Sequence, residues 1–271
     1  MGFTEEWVRY GAGERYSGYF AKPERDSERL PAVIVLQEIW GVNDHIQDVT
    51  RRFAQAGYAA FAPELFWENG SYKTGLDPDS VLLMREFMDG LPHGVWQDQE
   101  KRAEALAARP DRERTSIAGT MKSLFDPASR AAFVEAAVAA SAWLRKERPE
   151  TKDGRIGSVG FCLGGMLSGM LASLDPQLNA AVVFYGAPLE ADRIASVACP
   201  VLGHYGELDP AITDKVPAFA AAMREQGKSI EVHVYPGTPH AFFNDGRPSY
   251  RSGASREAFA RTLSFFSEHL R

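Results

Sequence analysis

The chain has 271 residues, 45% of them hydrophobic and 24% charged, a composition that suits a globular protein with a sizeable core. Its net charge is -6 and it has no long basic run, so nucleic acid is excluded as the expected partner. Cys162 and Cys199 cannot build a disulfide framework. No apolar run approaches the ~20 residues of a membrane span, and MGFTEEWVRYGAGERY lacks both the apolar centre of a signal peptide and a myristoylation pattern. A cytoplasmic protein without membrane association is expected.

In chain order, YSGYFAKP (16–23) alternates and ends in proline, which predicts an early antiparallel strand. PAVIVLQE (31–38) is a continuous apolar run, as in a strand buried on both faces. The stretch 43–58 keeps a helical period through Ile46, Val49, Phe53 and Ala54, with Asn43 or Asp44 as cap and Gly57 as stop. YAAFAPELF (58–66) is the next buried strand, and strand–helix–strand implies a parallel sheet.

Residues 67 to about 126 break this rhythm. Polar stretches there alternate with amphipathic helices around 79–90 and 96–108. They predict an insertion or helical lid beside the core of one domain spanning 1–271. The α/β pattern then resumes. Helices are expected over 126–147, 162–174, 211–227 and 250–270, and strands over 154–161, 179–186, 199–206 and 229–236.

The chemistry gathers at the strand ends. GSVGFCLGG (157–165) places Cys162 between Gly160 and Gly164, at the junction of a strand and a helix. This is the nucleophile-elbow pattern with Cys in place of Ser. Glycines are needed because a side chain at either flank would meet neighbouring backbone in so sharp a turn. The helix N-terminus favours a thiolate, and the Leu163 amide can donate to an oxyanion. The plainer alternative is a buried cysteine beside close-packed glycines.

YGELDP (205–210) puts Asp209 just past a strand's carboxyl end, although an Asp before Pro also suits a turn. YPGTPHAF (235–242) puts His240 in the loop before the last helix. Cys162, Asp209 and His240 follow three different strands in the order nucleophile, acid, base. In that reading His240 takes the thiol proton and Asp209 fixes its tautomer. His45, His93, His204, His233 and His269 lack such placement, and no cluster has metal-ligand spacing. In LQEIWG (36–41), Glu38 ends an apolar strand, a costly place for a carboxylate without partners, and Ile39 can offer a second oxyanion amide.

QEIWG, GFCLGG, YGELD and PGTPHAF, taken together and in order over nearly the whole chain, resemble the dienelactone hydrolase family. The resemblance implies an α/β-hydrolase fold, with a mainly parallel sheet flanked by helices. It implies a catalytic set of Cys162, Asp209 and His240, with Glu38 helping to form the thiolate when substrate binds, and no cofactor. It implies a small-molecule lactone or ester as substrate, the family's own being an enol-lactone of catechol breakdown. One departure is plain. The family's Arg four residues after the catalytic His, which holds the substrate carboxylate, is replaced by Asn244. Arg247 and Arg85 are the remaining candidates for that task. The other readings are a broader carboxylesterase acting on uncharged esters and a non-catalytic thiol redox or binding protein. The sequence is silent on oligomeric state.

Overall fold

A computed structural model describes residues 2–24, 29–92, 95, 96 and 98–271; His93 lies outside the described residues. The chain opens with β1 (Phe3–Tyr10), β2 (Tyr16–Pro23) and β3 (Ala32–Leu36). Helix α1 (Asp44–Gln55) and strand β4 (Ala59–Pro63) come next, followed by the short pair β5 (Trp67–Glu68) and β6 (Ser71–Tyr72). Four helices follow, α2 (Pro78–Asp89), α3 (Gln99–Ala107), α4 (Asp111–Phe125) and α5 (Pro127–Lys146). The second half runs β7 (Ile156–Phe161), α6 (Leu163–Leu174), β8 (Ala180–Phe184), α7 (Ala191–Ile194) and β9 (Val201–Gly206). It ends with α8 (Pro210–Thr213), α9 (Val216–Glu225), β10 (Ile230–Tyr235) and α10 (Ser252–His269).

The long strands form one eight-stranded sheet in the order β1-β2-β4-β3-β7-β8-β9-β10. From β4 to β10 every pairing is parallel, and β1 and β2 add an antiparallel margin. This is the α/β-hydrolase fold. Alternation along each central strand divides the core between the two faces. Ile34 and Leu36 of β3 join the face covered by α5 and α6, with Trp143 and Leu167. Val33 and Val35 join the face covered by α1 and α10, with Phe53 and Phe266. Such strands are buried on both sides, which is why they read as unbroken apolar runs.

Three expectations are corrected here. The strand expected first, 16–23, is preceded by β1, which pairs with it from Phe3 against Pro23 to Tyr10 against Tyr16. The polar stretch after residue 109 is largely helix α4, whose Ile117 and Leu124 are buried. The single helix expected over 211–227 is broken into α8 and α9, with Pro217 in the first turn of the second.

Candidate active site

Parallel strands point their carboxyl ends at one rim of the sheet, and the expected site residues collect there. Cys162 joins β7 to α6. Its φ is 55° and ψ -111°, a strained conformation for a residue with a side chain. The strain is held by close backbone packing. A Cβ on Gly160 would stand 1.8 Å from Gly164 O, and one on Gly164 would stand 2.1 Å from Leu36 O. A Cβ on Gly186 would stand 2.4 Å from Gly165 C, and one on Gly165 would stand 2.9 Å from Gly186 Cα. Backbone therefore lies directly on backbone, and the α6 N-terminus rests on the end of β3. The Cys162 amide donates to Phe184 O at 3.0 Å, which fixes the turn to β8.

Asp209 follows β9 and His240 follows β10. His240 Nδ1 lies 2.5 Å from Asp209 Oδ2. Burial disfavours the charged imidazole, but the Cys162 sulfur and the Asp209 carboxylate outweigh it and hold the His240 pKa well above its usual value. His240 is thus flanked by both side chains, in the relation that sequence order suggested.

Glu38, at the end of β3, is only 2% exposed. Its carboxylate has two donors. Asn244 Nδ2 donates to Oε2 at 2.6 Å, and the Tyr185 hydroxyl donates to Oε1 at 3.1 Å. Asn244 Oδ1 accepts the Gly246 amide at 3.0 Å, so both ends of the Asn244 amide are assigned by their partners. Tyr185 is fully buried at φ 41°, with its ring 5.0 Å from that of His240. Burial, then the charges of Glu38 and Cys162, push its phenol well above the ordinary range. Sequence reading gave Tyr185 no role. The only local signal is its place just past β8, at the same rim as the other strand-end residues.

Leu163 begins α6, and Ile39 follows Glu38 in the loop against which α6 rests. The two residues expected to carry oxyanion amides are therefore on touching segments. Arg247 and Arg85, the candidates for a substrate carboxylate, lie beside Trp40 and on the wall of the adjoining cavity respectively. Both face Asp89 of α2, at 2.7 Å and 3.7 Å respectively. Arg247 also lies over the Trp40 ring at 5.1 Å, and Arg85 donates to Gly246 O at 3.0 Å. They tie α2 to the loop after His240.

Two of the other histidines make packing contacts. His204 is buried within β9 between the Tyr235 and Thr262 hydroxyls, at 3.0 and 3.2 Å, and burial holds its pKa well below the usual value. His45 pairs with Asp245 at 2.9 Å. Among the described residues no group of three or more His, Cys, Asp or Glu side chains could hold a metal ion. No helix is long and apolar enough to cross a membrane, among the described residues.

The model of the dienelactone hydrolase family matches residues 16–270. The chain belongs to the dienelactone hydrolase family. It is 31% identical over 268 residues to a Yersinia pestis protein provisionally named carboxymethylenebutenolidase, covering 95% of this chain and 85% of that one. It is also 31% identical over 280 residues to a Bradyrhizobium protein provisionally named 2-oxo-3-(5-oxofuran-2-ylidene)propanoate lactonase, covering 98% and 94%. A crystal structure from Klebsiella pneumoniae subsp. pneumoniae MGH 78578, provisionally named dienelactone hydrolase, superposes with a TM-score of 0.71. Its identity is 28%, over 99% of this chain and 100% of that one. The protein is a hydrolase of the dienelactone hydrolase type.

Proposed function

We propose that this hydrolase opens a lactone or carboxylic ester through a thioester on Cys162. The observation that carries the reading is His240, set between Cys162 and Asp209 at the carboxyl rim of the sheet. His240 takes the thiol proton, and Asp209 holds the imidazole and stabilises its cation. The sulfur attacks the carbonyl carbon, and the amides of Ile39 and Leu163 receive the oxyanion. His240 then protonates the departing oxygen. Water, deprotonated by His240, attacks the thioester, and the thiol leaves with its proton restored. A thiolate is most useful where the leaving group departs readily, as an enolate does.

Glu38 assists formation of the thiolate when substrate displaces it from its donors. The residues that restrain it, Asn244 and Tyr185, carry no charge. This favours uncharged or weakly anionic substrates over those that need an arginine for their carboxylate. A reactive thiol suits a reducing cytoplasm. The segment 67–126 acts as a cap on a single domain, with Arg85 and Arg247 fastening it through Asp89.

The test is turnover of activated esters and lactones by two variants. Cys162→Ala abolishes turnover, with no acyl adduct by mass spectrometry. Cys199→Ala leaves turnover unchanged, because that thiol is buried and pushed up to about 12 by burial and by Asp175. Full activity in Cys162→Ala would overturn the mechanism.

A further inference from the structure

Glu64 is a second buried carboxyl group at the rim, and the mechanism above does not use it. It lies one residue past β4, directly beside the loop that leaves β3 with Glu38 and Ile39. Its side chain is buried, with 4% of the residue exposed, and touches the wall of a cavity of about 290 Å³ formed in part by Trp40, Gly41 and Phe66. Glu64 Oε2 accepts the Val42 amide at 2.9 Å, and Oε1 accepts the Phe66 amide at 3.1 Å. The turn at Gly41 has φ +74°, and a Cβ there would come within 3.3 Å of Glu64 Oε2. One residue away, Gln37 Oε1 accepts the Leu65 amide at 3.2 Å. The ends of β3 and β4 are thus laced together on both sides of Glu38 and Ile39.

We propose that Glu64 is a positioning residue that clamps the 38–42 loop, so that the Ile39 amide meets the oxyanion, and that the clamp works in its ionised form. The proposal rests on the reading of Cys162 as nucleophile. An ionised carboxylate accepts two amide hydrogens with two equivalent oxygens. A protonated acid has one weaker acceptor and a new donor facing an amide donor. Among the described residues no cation forms an ion pair with Glu64. Lys73, whose charge acts on it, donates to Leu65 O at 3.0 Å and pairs with Glu68 at 3.1 Å. The other titratable groups that feel Glu64 are the Tyr10 and Tyr72 phenols, both neutral at ordinary pH. Burial therefore dominates. It raises the Glu64 carboxyl to about 7 against the opposing pull of the Val42 and Phe66 amides and Lys73. The clamp tightens as pH rises through that value.

Two reactions of the same thiol separate the clamp from general damage. Hydrolysis of p-nitrophenyl acetate develops an oxyanion, whereas alkylation of Cys162 by iodoacetamide does not. In Glu64→Gln, which puts an amide donor against an amide donor, kcat/KM for the ester falls at least tenfold and the alkylation rate stays within twofold. An ester kcat/KM within threefold of wild type overturns the clamp, and so does a parallel loss of alkylation. If Glu64→Gln does not fold, wild type carries the test. The ratio of ester kcat/KM to alkylation rate should fall as pH is lowered from 8 to 6, with a midpoint near 7. A flat ratio overturns the proposal. Persistent hydrolysis by Cys162→Ala would instead refute the nucleophile assignment.

Discussion

Asn244 and Glu38, 206 residues apart in the chain, meet at 2.6 Å beneath the rim of the sheet. The contact joins the loop after β10 to the end of β3, and it gives a buried carboxylate a neutral partner where the family resemblance leads one to expect arginine. Asn244→Ala removes one of the donors to a carboxylate with almost no access to water. It should cost about 2 kcal/mol of stability, measured by chemical denaturation.

Substrate charge gives the complementary prediction. Asn244→Arg places a cation beside Glu38, where the proposed substrate carboxylate would lie. The ratio of kcat/KM for a carboxylate-bearing ester to that for its uncharged analogue should rise on the order of tenfold, the scale of one charge-assisted contact. An unchanged ratio would show that residue 244 does not face the substrate.

Asp209 is expected to matter through His240. Asp209→Asn should lower kcat by about 10³-fold or more while leaving substrate binding nearly intact, because the imidazole loses its orientation and its support for positive charge. Single-turnover kinetics with an activated ester would separate the two effects.

The raised His240 pKa also predicts how stability responds to pH. A histidine whose folded pKa lies above its unfolded value of about 6.5 contributes its full linked stability below that pH, and loses it as pH climbs through the folded value. The Tm difference between wild type and Asp209→Asn should therefore be larger at pH 6 than in alkaline buffer. A difference that grows with pH would contradict a raised His240 pKa.

At the elbow, Gly164→Ala would drive a methyl group to 2.1 Å from Leu36 O. Neither backbone segment can retreat without moving the sheet. The expected cost is about 3 kcal/mol or more, seen as a sharply lowered Tm or an insoluble product.

The central strands were legible because burial on both faces leaves continuous apolar runs, as in Ala32–Leu36 and Ala59–Pro63. The same logic hid β1. Its FTEEWVRY faces solvent along most of its length, so it carries charges where a core strand would not. Helix α4 was obscured by its opening DRERT, although Ile117, Thr120 and Leu124 bury one face. Within the site, Cys162, Asp209 and His240 were legible because each follows a strand in one order. The partners of Glu38 were not, since pairing over 206 residues leaves no local trace. Glu64 carries the same signal as Glu38, an acid at the end of an apolar strand, and only its contacts with Val42 and Phe66 reveal what it holds.

The crowding around Cys162 has a consequence for variation. Gly160, Gly164, Gly165 and Gly186 have no space for any other side chain, so variation is barred at these four positions but not at the apex. Cys162→Ser fits the same backbone, with oxygen in place of sulfur. On the proposed mechanism, the scaffold fixes where the attacking atom stands and leaves open which element it is. If Cys162 attacks as proposed, a lineage could exchange thiol for hydroxyl chemistry by one substitution, with selection then acting on the leaving groups the protein can process.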